Sequence, residues 1–204
     1  MGRPKAGEPE LRRELIADTA LEILDSEGLD ALSLSRIARA LNVQASALYW
    51  YFKSKADLYE HLCELIFCRV LGALDPSLRG ADLLRAFGRG FRSTLRSIRD
   101  GAKLTSVGGV SETLRTELIP ELLGRVTAGG ISPLEARQAL TAIEALALGW
   151  ALFEGSGNPA VGEVMRRTND RHDSGFERAL EALAYAYSGG EQRDRTSADR
   201  KGPA

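Results

Sequence analysis

The stretch Leu32-Ser33-Leu34-Ser35-Arg36-Ile37-Ala38-Arg39-Ala40-Leu41-Asn42-Val43-Gln44-Ala45-Ser46-Ala47-Leu48-Tyr49-Trp50-Tyr51-Phe52 shows the fold most plainly. Ser33 can accept hydrogen bonds from the free N–H groups at a helix start. Ile37, Ala38 and Leu41 then recur on one helical face. Asn42, which tolerates left-handed backbone, ends that helix. A second short helix is expected from about Ala45 to Tyr51. Two short helices around Leu41-Asn42-Val43-Gln44 have the proportions of a helix-turn-helix, whose second helix enters the DNA major groove.

Leu48 and Phe52, four residues apart, share the inner face of that second helix. At about 100° per residue, Ser46 and Trp50 point the opposite way, with Ala47 and Tyr49 flanking them. Large aromatics are rarely left outside without reason. A tryptophan can press on a thymine methyl, and tyrosine and serine hydroxyls can bond phosphates. Lys53 and Lys55 follow at once, and Ser54 opens another helix whose N-terminus suits a phosphate. Ser33, Ser35 and Arg36 begin the preceding helix in the same manner. From Ala31 to Lys55 the charges are Arg36, Arg39, Lys53 and Lys55, with no acid. Glu22, Asp25, Glu27 and Asp30 lie just upstream, so a net charge of -1 hides a locally positive segment. A plainer arrangement also satisfies these residues: Trp50 and Tyr49 packed on the rest of the chain, and the cations merely solvated.

Outward from this stretch the pattern is all-α. A helix is expected from about Pro9 to Glu27, with Ile16, Ala20, Ile23 and Leu24 inside and Gly28 as its stop. Another opens at Ser54, with Asp57 placed almost as in a capping box, and runs to about Leu74 before Asp75-Pro76-Ser77. Further helices are expected over Ala81 to Arg99, through about Ser106, and over Glu112 to Ala128 with a kink at Pro120. Ser132-Pro133 opens a strong one to Phe153. A weak helix is expected from Val161 to Thr168, and a last one from about Ser174 to Tyr187. Residues 188–204 are polar and rich in Gly, Arg, Asp and Ser, and are expected to be a disordered tail.

With 204 residues, 44% hydrophobic and 27% charged, the chain can bury a core without staples. No apolar run approaches the ~20 residues needed to span a bilayer, and Met1 to Glu10 is polar, so a cytoplasmic protein without a membrane partner is expected. Cys63 and Cys68 stand on different faces of one helix, and His61 and His172 are the only histidines, so neither a metal site nor a cofactor is expected. Nucleophile elbow, P-loop and dinucleotide fingerprints are missing, and Gly88-x-Gly90 lies inside a helical pattern, so no enzyme is expected.

The run from Leu32 to Val43, followed by Ala47-Leu48-Tyr49-Trp50-Tyr51-Phe52-Lys53-Ser54-Lys55-Ala56-Asp57-Leu58, resembles the N-terminal domain of the tetracycline-repressor (TetR) family across roughly Leu11 to Phe67. The resemblance implies a DNA-binding transcriptional regulator that forms a homodimer on a pseudo-palindromic double-stranded operator and usually represses. It puts Gln44, Ala45, Ser46, Ala47, Tyr49, Trp50 and Tyr51 at the DNA, with Ser33, Ser35, Arg36, Lys53 and Lys55 nearby. Ala45 and Ala47 depart from the polar residues often found there, which leaves more base reading to Trp50, Gln44 and Arg36.

The implied division is a helix-turn-helix domain at 10–70, with its motif at about 33–52, an effector-binding and dimerisation domain at 71–187, and the tail. Phe91 and Arg99-Asp100-Gly101-Ala102-Lys103 resemble the ligand domain of the tetracycline repressors. Thr105 and Leu71 stand where those proteins carry histidines, so tetracycline–metal binding is not expected. A pocket for a small, mostly apolar effector is expected to use Phe87, Phe91, Thr105, Leu122, Val126, Leu146, Trp150 and Phe153, with Glu144 and Glu154 as further polar groups. Ala139, Leu140, Ile143, Ala147 and Gly149, with Phe176, Leu180, Leu183, Ala184 and Tyr187, are expected to build an intersubunit four-helix bundle. An interior helix pair of one subunit would show the same pattern. An activator, a regulator without effector, or a protein-interaction module using Trp50 and Tyr49 are the alternatives.

Overall fold

Local signals set most of the helix boundaries in the computed structural model, which describes residues 11–161, 163 and 174–188. Helix α1, Arg13–Glu27, buries Ile16, Ala17, Ala20, Ile23 and Leu24 and stops at Gly28, whose φ is +88°. A single 3-10 turn, Leu29–Ala31, leads to α2, Leu34–Ala40. Asn42, at φ +52°, closes α2: its N–H donates to the Arg39 carbonyl and that of Val43 to the Ala38 carbonyl. This is the paired bonding that a left-handed residue after a helix permits. Helix α3, Ala45–Leu48, is shorter than expected, and Tyr49 to Tyr51 continue as turns. Helix α4 is Lys55–Gly72. Its Ser54 hydroxyl accepts from the Asp57 N–H. The Asp57 carboxylate accepts from Lys53 N–H, one residue earlier than a full capping box requires.

The body consists of α5, Gly80–Ser97; α6, Gly101–Val107; α7, Ile119–Thr127; α8, Pro133–Gly155; and α9, Ser174–Ser188. The expected kink at Pro120 is resolved upstream, where Leu114–Leu118 form one wide π-type turn before α7. Proline cannot donate to the carbonyl four residues back and crowds it, so the ladder loosens there. Ser132 and Glu135 form a complete capping box at the start of α8. Pro9, most of the weak helix expected at 161–168 and the tail lie outside the described residues.

One buried cluster runs through the molecule from Ile16 to Leu180. Helix α5 is its hub, packed against α4, α7, α8 and α9. Gly88 explains how closely: a Cβ there would meet Leu180 Cδ1 at 2.7 Å and Ile143 Cγ2 at 2.8 Å. Gly88 is therefore a helix-packing glycine, whereas a Cβ at Gly90 would meet only ordinary contacts with Val70 and Leu74. Gly80 and Gly129 meet backbone to backbone, where a Cβ on Gly129 would stand 2.2 Å from the Gly80 nitrogen. Ion pairs fasten the layers. Arg85 and Arg89 of α5 bond Glu181 and Glu177 of α9. The buried Arg92 bonds Glu154 of α8 while its guanidinium lies 4.5 Å over the Phe176 ring.

The residues expected to pair subunits divide differently. Ala139, Ile143, Ala147, Phe176, Leu180 and Ala184 are buried inside the single chain. They form the seam between α8, α9 and α5. The large apolar groups left outside on α8 and α9, among the described residues, are Leu134, Phe153 and Tyr185. The open Gly149 lies on the same helix as the first two. The small-residue stripe thus serves packing within the subunit. No helix among the described residues is long and apolar enough to cross a membrane.

Candidate nucleic-acid interface and ligand cavity

Leu48 and Phe52 are fully buried and fix the roll of the α3 segment. That roll leaves Trp50 88% exposed and Tyr49 55% exposed. Gln44 and Ser46 are exposed, and Ala45 and Ala47 half-buried between them. Arg13 fastens the segment from behind. Its guanidinium lies 4.4 Å over the Phe52 ring, donates to the Tyr51 carbonyl at 3.1 Å and pairs with Asp57 at 3.3 Å. Tyr51 turns inward, and its hydroxyl donates to the Leu11 carbonyl at 2.5 Å. Its ring supports the reading segment rather than offering a free hydroxyl.

Some of the cations and caps around α3 already have partners. Ser33 accepts from Arg36 N–H as the cap of α2. Arg36 pairs with Glu27 at 2.5 Å, and this bond raises the guanidinium and lowers the carboxyl in pKa. Glu27 lies upstream of the acid-free window, and the turn at Gly28 folds it back beside α2, a pairing the sequence did not announce. Lys55 extends along Tyr59, its Nζ 5.2 Å from the ring centre. Ser35, Arg39 and Lys53 are exposed. Trp50, Lys53 and Ser54 border one open cleft with Arg13 and Tyr51. Ser33→Ala is expected to remove about 1 kcal/mol of stability through the lost cap. Thermal unfolding reads this as a fall of about 2–4 °C, and an unchanged midpoint would deny the cap that role.

In the body, a cavity of about 280 Å³ opens between α4, α5, α7 and α8. Phe67, Phe87, Ile119, Leu122, Leu123 and Leu140 form its apolar wall, and Arg137, Thr141 and Glu144 its polar side. Phe87 stacks on Phe91 at 5.6 Å and meets Phe67 at 5.7 Å, so the aromatic wall is stiff. Of the expected pocket residues, the cavity brings together Phe87, Leu122 and Glu144, with Phe91 directly behind. Val126 is buried core. The Thr105 hydroxyl donates to the Gly101 carbonyl on its own helix. Leu146 is half-buried, Phe153 is 55% exposed, and Trp150 packs edge-on against Phe176. Leu146, Trp150 and Phe153 sit on a different face of α8 from Leu140 and Glu144, which are four apart and face the cavity. Glu154 is held by Arg92 and Arg96. Arg137 and Thr141 follow from the same period as Leu140 and Glu144 once the face of α8 is known; the sequence alone does not fix that face.

The family model for bacterial regulatory proteins, tetR family, matches residues 16–62, which cover α1 through the first half of α4. The class A tetracycline repressor from transposon 1721 of Escherichia coli is 31% identical over 157 residues, 75% of this chain and 71% of that protein. The chain belongs to the tetR family. The class C tetracycline repressor of Escherichia coli is 34% identical over 146 residues, 70% of this chain; the match spans 65% of that relative's length. The crystal structure of Mycobacterium smegmatis BioQ superposes with a TM-score of 0.71 at 26% identity, across 88% of this chain and 99% of that one.

In this tetR-family chain the matched segment meets the body at a polar junction. Asp100, at φ +54°, accepts from Leu29 N–H at 3.0 Å and from Lys103 Nζ at 2.7 Å. The Lys103 bond, then the Leu29 bond, lowers the Asp100 carboxyl below its usual range. Arg99 donates to the Ser26 carbonyl at 2.5 Å, and its N–H to Asp25 at 3.3 Å. The Arg99-Asp100-Gly101 corner therefore grips the end of α1. A cleft of about 370 Å³ lies between this corner and α8. Buried Cys63 of α4 donates to the Leu104 carbonyl of α6, and burial pushes its thiol up to about 11.

Proposed function

We propose that the chain is a homodimeric, sequence-specific DNA-binding transcriptional regulator, a repressor released from its operator by a small, mostly apolar effector. The observation that carries the DNA part is Trp50, 88% exposed beside Tyr49 on a segment whose roll is fixed by buried Leu48 and Phe52. Trp50, Tyr49, Gln44 and Ser46, with Ala45 and Ala47 between them, would face base edges. Ser35, Lys53, Lys55 and the N-termini capped by Ser33 and Ser54 would face phosphates. Arg36 would reach DNA by leaving Glu27, and Tyr51 would contribute by position. Exposed apolar groups on α8 and α9, Phe153 and Tyr185 among them, would contribute to the dimer face.

The cavity supports the effector part. Phe67 of α4 lines it, and the other end of α4 begins at Lys55, just after the turns that carry Trp50. A ligand that prefers one arrangement of α4, α5, α7 and α8 would change the separation of the two α3 segments in the dimer. Its effect is bounded by its differential affinity for the two arrangements. Selection from random duplex DNA by the full chain tests the proposal. Enriched sequences are expected to be inverted repeats whose half-site centres lie about 10–10.5 base pairs apart, or a multiple of that. Enrichment of nothing, or of a single asymmetric site, overturns it.

A further inference from the structure

The polar side of the cavity has a chemistry of its own. Glu144 borders it next to Leu140 and the α7 leucines, and among the described residues no ion pair or hydrogen bond holds its carboxylate. The apolar surroundings raise that carboxyl above its ordinary range. Arg137, two helical turns earlier, borders the same cavity and likewise has no partner among the described residues. At 1.5 Å per residue the two lie about 10 Å apart along α8, too far to satisfy each other directly. Both charged heads are exposed at the cavity mouth. A ligand that docks there displaces water from the Glu144 carboxylate, and one that carries a counterion offsets that loss.

We infer that the effector is a small apolar molecule carrying a basic nitrogen, which sits at Glu144 with its apolar body against Phe67 and Phe87. This rests on the cavity being the effector site. Glu144 attracts the cation, Arg137 repels it from the other end, and together they orient the molecule along α8. The same charges reject an anionic group placed at Glu144. The cavity, at about 280 Å³, suits a compact ligand.

Isothermal titration of the full chain at neutral pH with 4-phenylbutylamine, 4-phenyl-1-butanol and 4-phenylbutyrate tests the inference. The amine is expected to bind about tenfold more tightly than the alcohol, the margin of a charge-assisted over a neutral hydrogen bond. Glu144→Gln is expected to erase that margin while leaving alcohol binding and the unfolding midpoint in place. Equal binding of amine and alcohol, or a margin that survives Glu144→Gln, overturns it. Operator binding measured with the same probes separates this from the effector reading. If the alcohol binds and releases DNA but the amine is no better, the cation site is wrong and the effector reading stands. If the amine binds through Glu144 without weakening DNA binding, the cation site stands and the effector reading fails. Binding of no probe overturns both.

Discussion

Trp50→Ala is expected to weaken operator binding by about a hundredfold and leave thermal stability unchanged. The indole is 88% exposed, so truncating it removes almost no buried area from the folded chain. The same exposure means that the ring is buried only when something docks on it. A central aromatic at an interface commonly carries 2 kcal/mol or more, and a hundredfold is about 2.7 kcal/mol. Its neighbours strengthen the expectation. Ala45 and Ala47 offer no hydrogen bonds to bases, and Tyr51 is engaged with Leu11. Fluorescence anisotropy with a selected operator measures the loss, and calorimetry confirms the fold. A change below about threefold, with the fold intact, would remove Trp50 from the interface.

Arg92→Ala is expected to cost about 3 kcal/mol, a fall of about 6–12 °C in Tm for a chain of this size. Arg92 is 5% exposed, and its partner Glu154 is also largely inside. Removing the guanidinium leaves a largely covered carboxylate at the α5–α8 seam and takes the cation off the Phe176 ring. Arg96, 3.3 Å from Glu154, retains part of the compensation, which places the effect at the lower end for a broken buried pair. The double variant Arg92→Met, Glu154→Leu is expected to recover most of the loss, because no orphaned charge remains. Chemical denaturation separates the cases. A single variant within 1 kcal/mol of the natural chain would show that the pair is not structural.

The helix ends were readable because capping is local. Ser33, Ser54 and Ser132 cap as expected, accepting from the Arg36, Asp57 and Glu135 N–H groups, and Asn42 takes the left-handed conformation that ends α2. The exposure of Trp50 was equally legible, since about 100° per residue from Leu48 and Phe52 leaves it one direction. What the sequence withheld are contacts between distant segments. Glu27 reaches Arg36 only because the chain turns at Gly28, and Tyr51 reaches Leu11 across 40 positions. Pro120 announced a disturbance, but its form, a wide turn at Leu114–Leu118, depends on how the ladder relaxes upstream. Helix α8 is apolar on most of its circumference, so periodicity could not say which face meets α7. The cavity accordingly takes Leu140 beside the expected Glu144, and not Leu146 or Trp150.

The salt dependence of operator binding tests the central claim most directly. The full chain would be titrated onto a selected duplex and a scrambled one of equal length across about 50–200 mM salt. Phosphate contacts release counterions, so log affinity is expected to fall linearly with log salt concentration. Six or more contacts in a dimer correspond to a loss of about 1,000-fold or more over that range. The selected duplex should stay ahead of the scrambled one throughout. Affinity indifferent to salt would contradict the assignment of the Trp50 surface to DNA and point to a protein partner, and equal affinity for both duplexes at every salt concentration would contradict sequence-specific reading.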